Sequence, residues 1–429
     1  MSLKTFLVSR VAASITSEKR LKRNRTMQET KRQAAHAPHV VDYFHDVTDP
    51  YSHLCLQVLP GFVSRYDIVL SVHLVNPAPD WAAPERAQLE AYAREDAQRL
   101  AARAGLNFTD PGHQPAPDQL QRAGLQLAAA IDSGRFVQEA AAISAAVWRG
   151  ELAGPSGDAS ELGARLAEGS ARREALGHYL GGTFQYGGEW YWGVDRLHYL
   201  ETRLMELGAR KPDTGDGVIF PPPVSPSGKA DGPAPAVRPE LHYYLSFRSP
   251  YTYIVAQRAK ALADAYGAEL KLRYVLPMVM RGLPVPRMKG RYITLDTARE
   301  ARRLGVPFGK IADPVGKPVE RGYSLLPWAR EQGRGFEYCH AFLAGVWSQG
   351  VDAGSDAGMR QIVEAAGLDW AGARPHLETD AWRAEAEANR AEMVSLGVWG
   401  VPSFRVGNVI TWGQDRLWLV EDELRKQTG

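Results

Sequence analysis

The chain has 429 residues, 45% hydrophobic and 23% charged, with 51 Lys and Arg against 49 Asp and Glu for a net charge of +2. That length and balance fit two or three globular domains with ordinary cores, and no strong field argues for nucleic acid or a membrane as a partner. Only two cysteines occur, Cys55 and Cys339, in no Cys-x-x-Cys arrangement, which argues against a disulfide scaffold and fits a reducing, cytoplasmic compartment.

Residues 1–38 are basic, with Lys4, Arg10, Lys19, Arg20, Lys22, Arg23, Arg25, Lys31 and Arg32 against Glu18 and Glu29. The segment superficially resembles a transit peptide. Leu3, Phe6, Leu7 and Val11 recur at helical spacing, and a helix packed on the first domain explains them as well. No apolar run approaches the ~20 residues of a membrane-spanning helix.

Val40–His45 reads as a buried strand, and Asp49-Pro50 opens a helix with a capping carboxylate and proline at the first turn. Ile68–Val75 is a second strand, parallel to the first through a right-handed crossover, with β-branched content that predicts a central, buried position. Pro84 to about Ala175 has helical periodicity throughout and reads as an all-helical insertion. Gly187-Gly188 lies between two short strands as a hairpin signal, and a helix over 195–208 closes the unit.

The same plan returns at an offset of 200: Asp42–Tyr51 lines up with His242–Tyr251, and the match runs without a gap to Phe108 and Phe308. By Phe184/Phe404 and Trp192/Trp412 the offset is 220, which places a net insertion in the second copy. Strands are expected at Leu241–Leu245, Leu270–Leu276, Ser403–Val406 and Val409–Trp412, with Leu270–Leu276 again central. Between the copies, 213–239 is rich in Pro and Gly and reads as a semi-rigid, poorly ordered linker. The expected layout is a basic segment at 1–38, a degenerate domain at 39–212, the linker at 213–239, and an intact domain at 240–429. The fold class is α/β: two tandem thioredoxin-like domains, each with an all-helical insertion of the DsbA-like kind.

Ser249-Pro-Tyr251, Lys289-Gly-Arg-Tyr292, Gly305-Val-Pro-Phe308, Gly400-Val-Pro-Ser-Phe404 and Trp412-Gly-Gln-Asp-Arg416 occur in that order. Together they make the second copy similar to the 2-hydroxychromene-2-carboxylate isomerases and the related kappa-class glutathione transferases, DsbA-like members of the thioredoxin superfamily. The resemblance implies glutathione as cofactor and a small electrophilic, aromatic substrate. It implies that Ser249, at a helix N-terminus, holds the glutathione sulfur as thiolate; the plainer reading is a helix cap. It implies a cis Val401-Pro402 peptide that pairs with glutathione, against an ordinary trans turn. Lys289 would meet a ligand carboxylate, against a solvated lysine. Gln414 and Asp415 would bind the γ-glutamyl end, against a capping aspartate. Tyr251, Tyr292 and Trp412 would line the substrate pocket. Met280 stands where the family usually has a polar Asn.

The first copy has Asp49 for the serine, Gly182 for the proline, Leu89 for the lysine and Val194 for Gln414. It reads as a non-catalytic partner or as the holder of a different pocket. His45, Asp46, Asp49 and His53 do not amount to a metal site at that spacing. Trp190, Tyr191, Trp192, Trp347, Trp370 and Trp382 fit core positions better than a pocket wall. No metal, nucleic acid or membrane is expected; the partner is a small-molecule substrate, with a homodimer or pairing of the two domains open. Two other functions stay open: a DsbA-family thiol–disulfide oxidoreductase homologue without Cys-x-x-Cys, and a non-catalytic binding or scaffold protein.

Overall fold

The computed structural model describes residues 3–154, 159–223, 225–228 and 238–428. In chain order the first half holds α1 (Leu3–Thr16), α2 (Glu18–Ala34), β1 (Val40–His45), α3 (Pro50–Arg65), β2 (Val69–Leu74), α4 (Arg86–Ala104), α5 (Pro117–Asp132), α6 (Phe136–Trp148) and α7 (Ala159–Ala175). There follow β3 (Thr183–Tyr186), β4 (Glu189–Trp192) and α8 (Leu197–Glu206). The second half holds β5 (Glu240–Leu245), α9 (Pro250–Ala265), β6 (Glu269–Tyr274), α10 (Arg287–Arg303), α11 (Lys317–Glu331), α12 (Gly335–Ala344), α13 (Asp356–Ala365), α14 (Trp370–Ala373) and α15 (Trp382–Ser395). It closes with β7 (Ser403–Val406), β8 (Val409–Trp412) and α16 (Leu417–Thr428).

Two four-stranded sheets result, ordered β2-β1-β3-β4 and β6-β5-β7-β8. Their registers match position for position: Val40 faces Val69 and Glu240 faces Glu269, while Asp42 faces Gln185 and His242 faces Arg405. Tyr43 stacks on Phe184 at 4.8 Å and Tyr243 on Phe404 at 5.0 Å. Each tyrosine hydroxyl then donates to a carbonyl in the first turn of the following helix, Ser52 O or Thr252 O. Each hairpin turns on a glycine with positive φ, Gly187 at 51° and Gly407 at 52°, where a side chain would be strained.

The crossover strands β2 and β6 are edges, contrary to the expectation that they are central. Each pairs with β1 or β5 on one side only, because the β3–β4 or β7–β8 hairpin takes the other side of that strand. Leucine and valine content reported helix cover, not sheet position, and Val69 is 49% exposed.

The chain divides into two compact units, Asn24–Pro223 and a second that joins the segment through Arg23 to Val224–Gly429. Helix α1 therefore packs on the second half, not the first. It does so through Ser9, Ala12, Ala13 and Thr16, while the expected face of Phe6, Leu7 and Val11 is exposed. Small residues win because Gly309 and Gly350 let the helix approach closely: a Cβ at either would lie 2.4 Å from the hydroxyl of Thr16 or Ser9. Of the expected linker, residue 224 and residues 229–237 lie outside the described residues. Glu201 accepts from the Ile219 and Phe220 N–H groups, and Glu421 accepts from those of Ser227 and Gly228. Those parts are held, each to the closing helix of its own unit.

Candidate functional site

Ser249 has an extended backbone (φ −99°, ψ 114°) and caps α9, with Pro250 at the first turn. Its Oγ accepts from the Thr252 N–H at 3.2 Å and donates to Val401 O at 3.3 Å. The serine is a helix cap and also reaches the segment opposite. The Val401–Pro402 peptide there is cis, and Pro402 O accepts from the Gly413 N–H at 2.8 Å. A half-buried hydroxyl thus lies between a helix N-terminus, where orphan N–H groups favour an anion, and a peptide edge.

Beyond this edge lies an aromatic wall. Trp399 meets Trp412 edge-on at 5.1 Å, and Gly400 lies flat under the Trp412 ring, where a Cβ would come within 2.1 Å of Cζ2. Lys289 Nζ is 5.9 Å from the centre of the Trp399 ring. This lysine sits in the first turn of α10 at 9% exposure, so it is no solvated loop residue, and burial pulls its pKa down. Arg281 donates to Trp399 O, and Arg248, beside Ser249 in the chain, pairs with Asp313 through two contacts of 2.8 Å.

The other expected residues stand apart from this group. Gln414 is 2% exposed and its amide is consumed internally: Arg258 donates to its Oε1, and its Nε2 donates to Glu300 at 2.9 Å and to Asp415. Glu300 is fully buried and accepts from Arg303 at 2.7 Å. Gln414 therefore positions Asp415, which remains partly exposed and is the member of the pair that a ligand can reach. Tyr251 donates to Asp296 at 2.7 Å, and Tyr51 donates to Asp96 at the same distance, so this bond belongs to the common frame. Tyr292 is buried in α10. Met280 is half-buried against the apolar core and offers no polar group.

The corresponding place in the first half is closed. Asp49 caps α3, accepting from the Tyr51 and Ser52 N–H groups and from Ser52 Oγ at 2.8 Å. Burial, then the nearby Asp46 carboxylate, pushes its pKa up to about 7. Gly182 has φ 58°, which proline cannot adopt, and a Cβ there would lie 2.9 Å from Asp49 Oδ2. Beside the cap is a cavity of about 580 Å³ lined by Thr48, Asp80, Arg86, Glu90 and Gln114 among others.

His45, Asp46 and His53 turn to different partners, Tyr43, Thr48 and Ser144. Among the described residues, no group of three His, Cys, Asp or Glu side chains is placed to hold a metal ion. Tyr191, Trp347 and Trp382 are core residues. Both cysteines are buried, with burial raising each thiol pKa well above its usual value. Sequence reasoning missed Trp399, Gly400, Arg258 and Glu300. Gly400 opens a quoted motif, and Trp399 lies one residue before it. The other two had a signal in the repeat, since Arg258, Glu300 and Gln414 all align with apolar residues.

A family model described as DSBA-like thioredoxin domain matches residues 240–425. The 2-hydroxychromene-2-carboxylate isomerase of Pseudomonas putida is 24% identical over 194 residues, 43% of this chain and 93% of the relative. That of Sphingobium xenophagum is 24% identical over 194 residues, 43% of this chain and 97% of the relative. Among solved structures, a 2-hydroxychromene-2-carboxylate isomerase aligns at 23% identity and TM-score 0.37 over 44% of this chain and 95% of its own. The cytosolic disulfide reductase DsbM from Pseudomonas aeruginosa with GSH aligns at 18% identity and TM-score 0.33, over 44% and 96%. Residues 240–425 of this chain belong to the DsbA-like thioredoxin family, with the 2-hydroxychromene-2-carboxylate isomerases among their relatives.

Proposed function

We propose that the second half is a glutathione-dependent isomerase or transferase for a small, electrophilic, aromatic substrate. The chain as a whole is then a tandem duplication of one DsbA-like domain, in which the first copy (39–212) has lost the chemistry and the second (240–429) keeps it. The observation that carries this reading is the Ser249 hydroxyl, set at the N-terminus of α9 and 3.3 Å from Val401 O. Relatives named as isomerases, aligned along nearly their whole length, support it.

Bound glutathione would supply the sulfur nucleophile. Ser249 would turn its hydroxyl from Val401 O to the sulfur, and the α9 N-terminus would favour the thiolate over the thiol. The freed Val401 carbonyl, next to Pro402, would pair with the glutathione backbone. Lys289, already stripped of water, would hold a carboxylate, and Asp415 would hold the amino group of the γ-glutamyl end. Trp412, partly exposed and backed edge-on by the buried Trp399, would present its indole to an aromatic substrate. The oxidoreductase alternative lacks an attacking thiolate, because both cysteines are buried with raised pKa values.

Calorimetric titration of the full chain with glutathione tests the reading. One site per chain is expected, and absence of heat would favour a non-catalytic scaffold. Ultraviolet titration then places the bound thiol below the ~8.5 reference of a cysteine thiol. Ser249→Ala should raise it by about one to two units, the equivalent of a charge-assisted hydrogen bond of roughly 1.5–3 kcal/mol. An unchanged value would reduce Ser249 to a cap.

A further inference from the structure

A helix on a water-facing surface normally buries its large apolar residues and exposes its small or polar ones. Helix α1 does the reverse. Its inner face consists of Ser9, Ala12, Ala13 and Thr16, seated against Gly309 and Gly350, with Thr16 O accepting from Arg302 at 2.9 Å. Its outer face carries Leu7, Val11 and Ile15 on successive turns, 53%, 58% and 41% exposed, flanked by Phe6 and Val8. Of the twelve large apolar residues exposed among the described residues, six lie between Phe6 and Met27. The close fit of the inner face fixes the helix in place, so the outward stripe is a presented surface and not a helix caught in the wrong rotation.

Charge selects the occupant. Through Arg23 the segment has six basic residues against the single acid Glu18, although the whole chain is nearly neutral at +2. Lys19, Arg20 and Arg23 lie exposed immediately after the stripe, and Arg10 lies over the Phe6 ring within it. A second copy docked on this stripe would bring two such basic segments together, and their repulsion opposes that pairing. An apolar stripe flanked by lysine and arginine fits the boundary of an anionic bilayer, where the acyl region takes the side chains and the headgroups take the charges.

We propose that α1 is a peripheral membrane-contact helix, with Leu7, Val11 and Ile15 entering an anionic phospholipid surface while Ser9 and Thr16 tie the helix to the second half. The contact lies in the interface, since no helix among the described residues is long and apolar enough to cross a membrane. Co-sedimentation of the full chain with vesicles of phosphatidylserine and phosphatidylcholine tests it against phosphatidylcholine alone. Binding is expected to the mixed vesicles only, and to fall as salt rises. The triple variant Leu7→Ser/Val11→Ser/Ile15→Ser changes only outward side chains and should lower the partition coefficient about tenfold or more. A second variant, Lys19→Gln/Arg20→Gln/Lys22→Gln/Arg23→Gln, should weaken binding and flatten its salt dependence. No sedimentation of the parent chain at low salt, or equal binding by parent and triple variant, would overturn the proposal. So would light scattering that shows a dimer lost in the triple variant without vesicle binding by the parent, which would assign the stripe to a second copy.

Discussion

Arg258, Glu300 and Gln414 meet in the second half as a buried polar network, whereas the residues at the matching places of the first half are Val58, Leu100 and Val194, all apolar core. Strand order, register, the stacked tyrosine and the Tyr–Asp bond are common to both halves, so the frame requires none of these three polar groups. A buried ionic network offers the fold little over well-packed hydrophobic residues, since desolvation cancels most of its attraction. Its presence in one half only marks the half where a side chain must be aimed, and the chain it supports ends on Asp415. The first half keeps an aspartate at that place, Asp195, with apolar residues where the second half has the network, and its Gly182 closes over Asp49.

The largest expected effect follows directly. Glu300→Leu alone takes the buried acceptor from Arg303 and from the Gln414 amide and should destabilise the second half by about 3–5 kcal/mol. Adding Arg258→Val and Gln414→Val imports the interior of the first half and should recover most of that loss while abolishing glutathione binding. Urea unfolding and calorimetry read the two quantities separately. A triple variant no more stable than Glu300→Leu would mean that the halves are not exchangeable frames.

Asp49→Asn is next. Because the folded pKa of Asp49 is raised to about 7, the native state holds the proton more tightly than the unfolded chain does. Its contribution is intact below about pH 4 and is lost as pH rises through about 7. Asparagine keeps the cap without the charge, so the variant should gain on the order of 1–2 kcal/mol over the parent at pH 8 and little at pH 4. Equal gains at both values would break the assignment.

Lys289→Met should give a smaller gain with the opposite pH sign. The depressed lysine pKa means stability present at high pH and lost as pH falls through the folded value. At neutral pH the methionine variant should be more stable by about 1 kcal/mol, yet bind glutathione about tenfold more weakly. The smallest effect is none: Asp49→Ser alone should bring no glutathione heat to the first half, where Gly182 and Leu89 remain. Measured heat from two sites would show that the serine suffices.

Much of this was legible in sequence where the determinant is local. Asp49-Pro50 and Ser249-Pro250 announce their helices because a cap acts within one turn, and the hairpin glycines do so because φ is a property of one residue. The edge position of β2 and β6 was not legible, since strand order depends on a hairpin more than a hundred residues later. Gln414 was assigned to a ligand because its partners, Arg258 and Glu300, are 156 and 114 positions away. The apolar spacing of α1 identified a helix and its two faces, but not which face would be buried. Periodicity has no sign.

Gly400 sets a boundary on how the aromatic wall can diversify. Any side chain there drives the Trp412 indole off its seat, and the displaced ring has Trp399 edge-on beside it. The shape of this wall therefore has no single-step route through position 400. New shapes of the aromatic wall are reachable by exchanging Trp399 and Trp412 as a pair, with the glycine between them left as the fixed point around which a saturation library should be drawn.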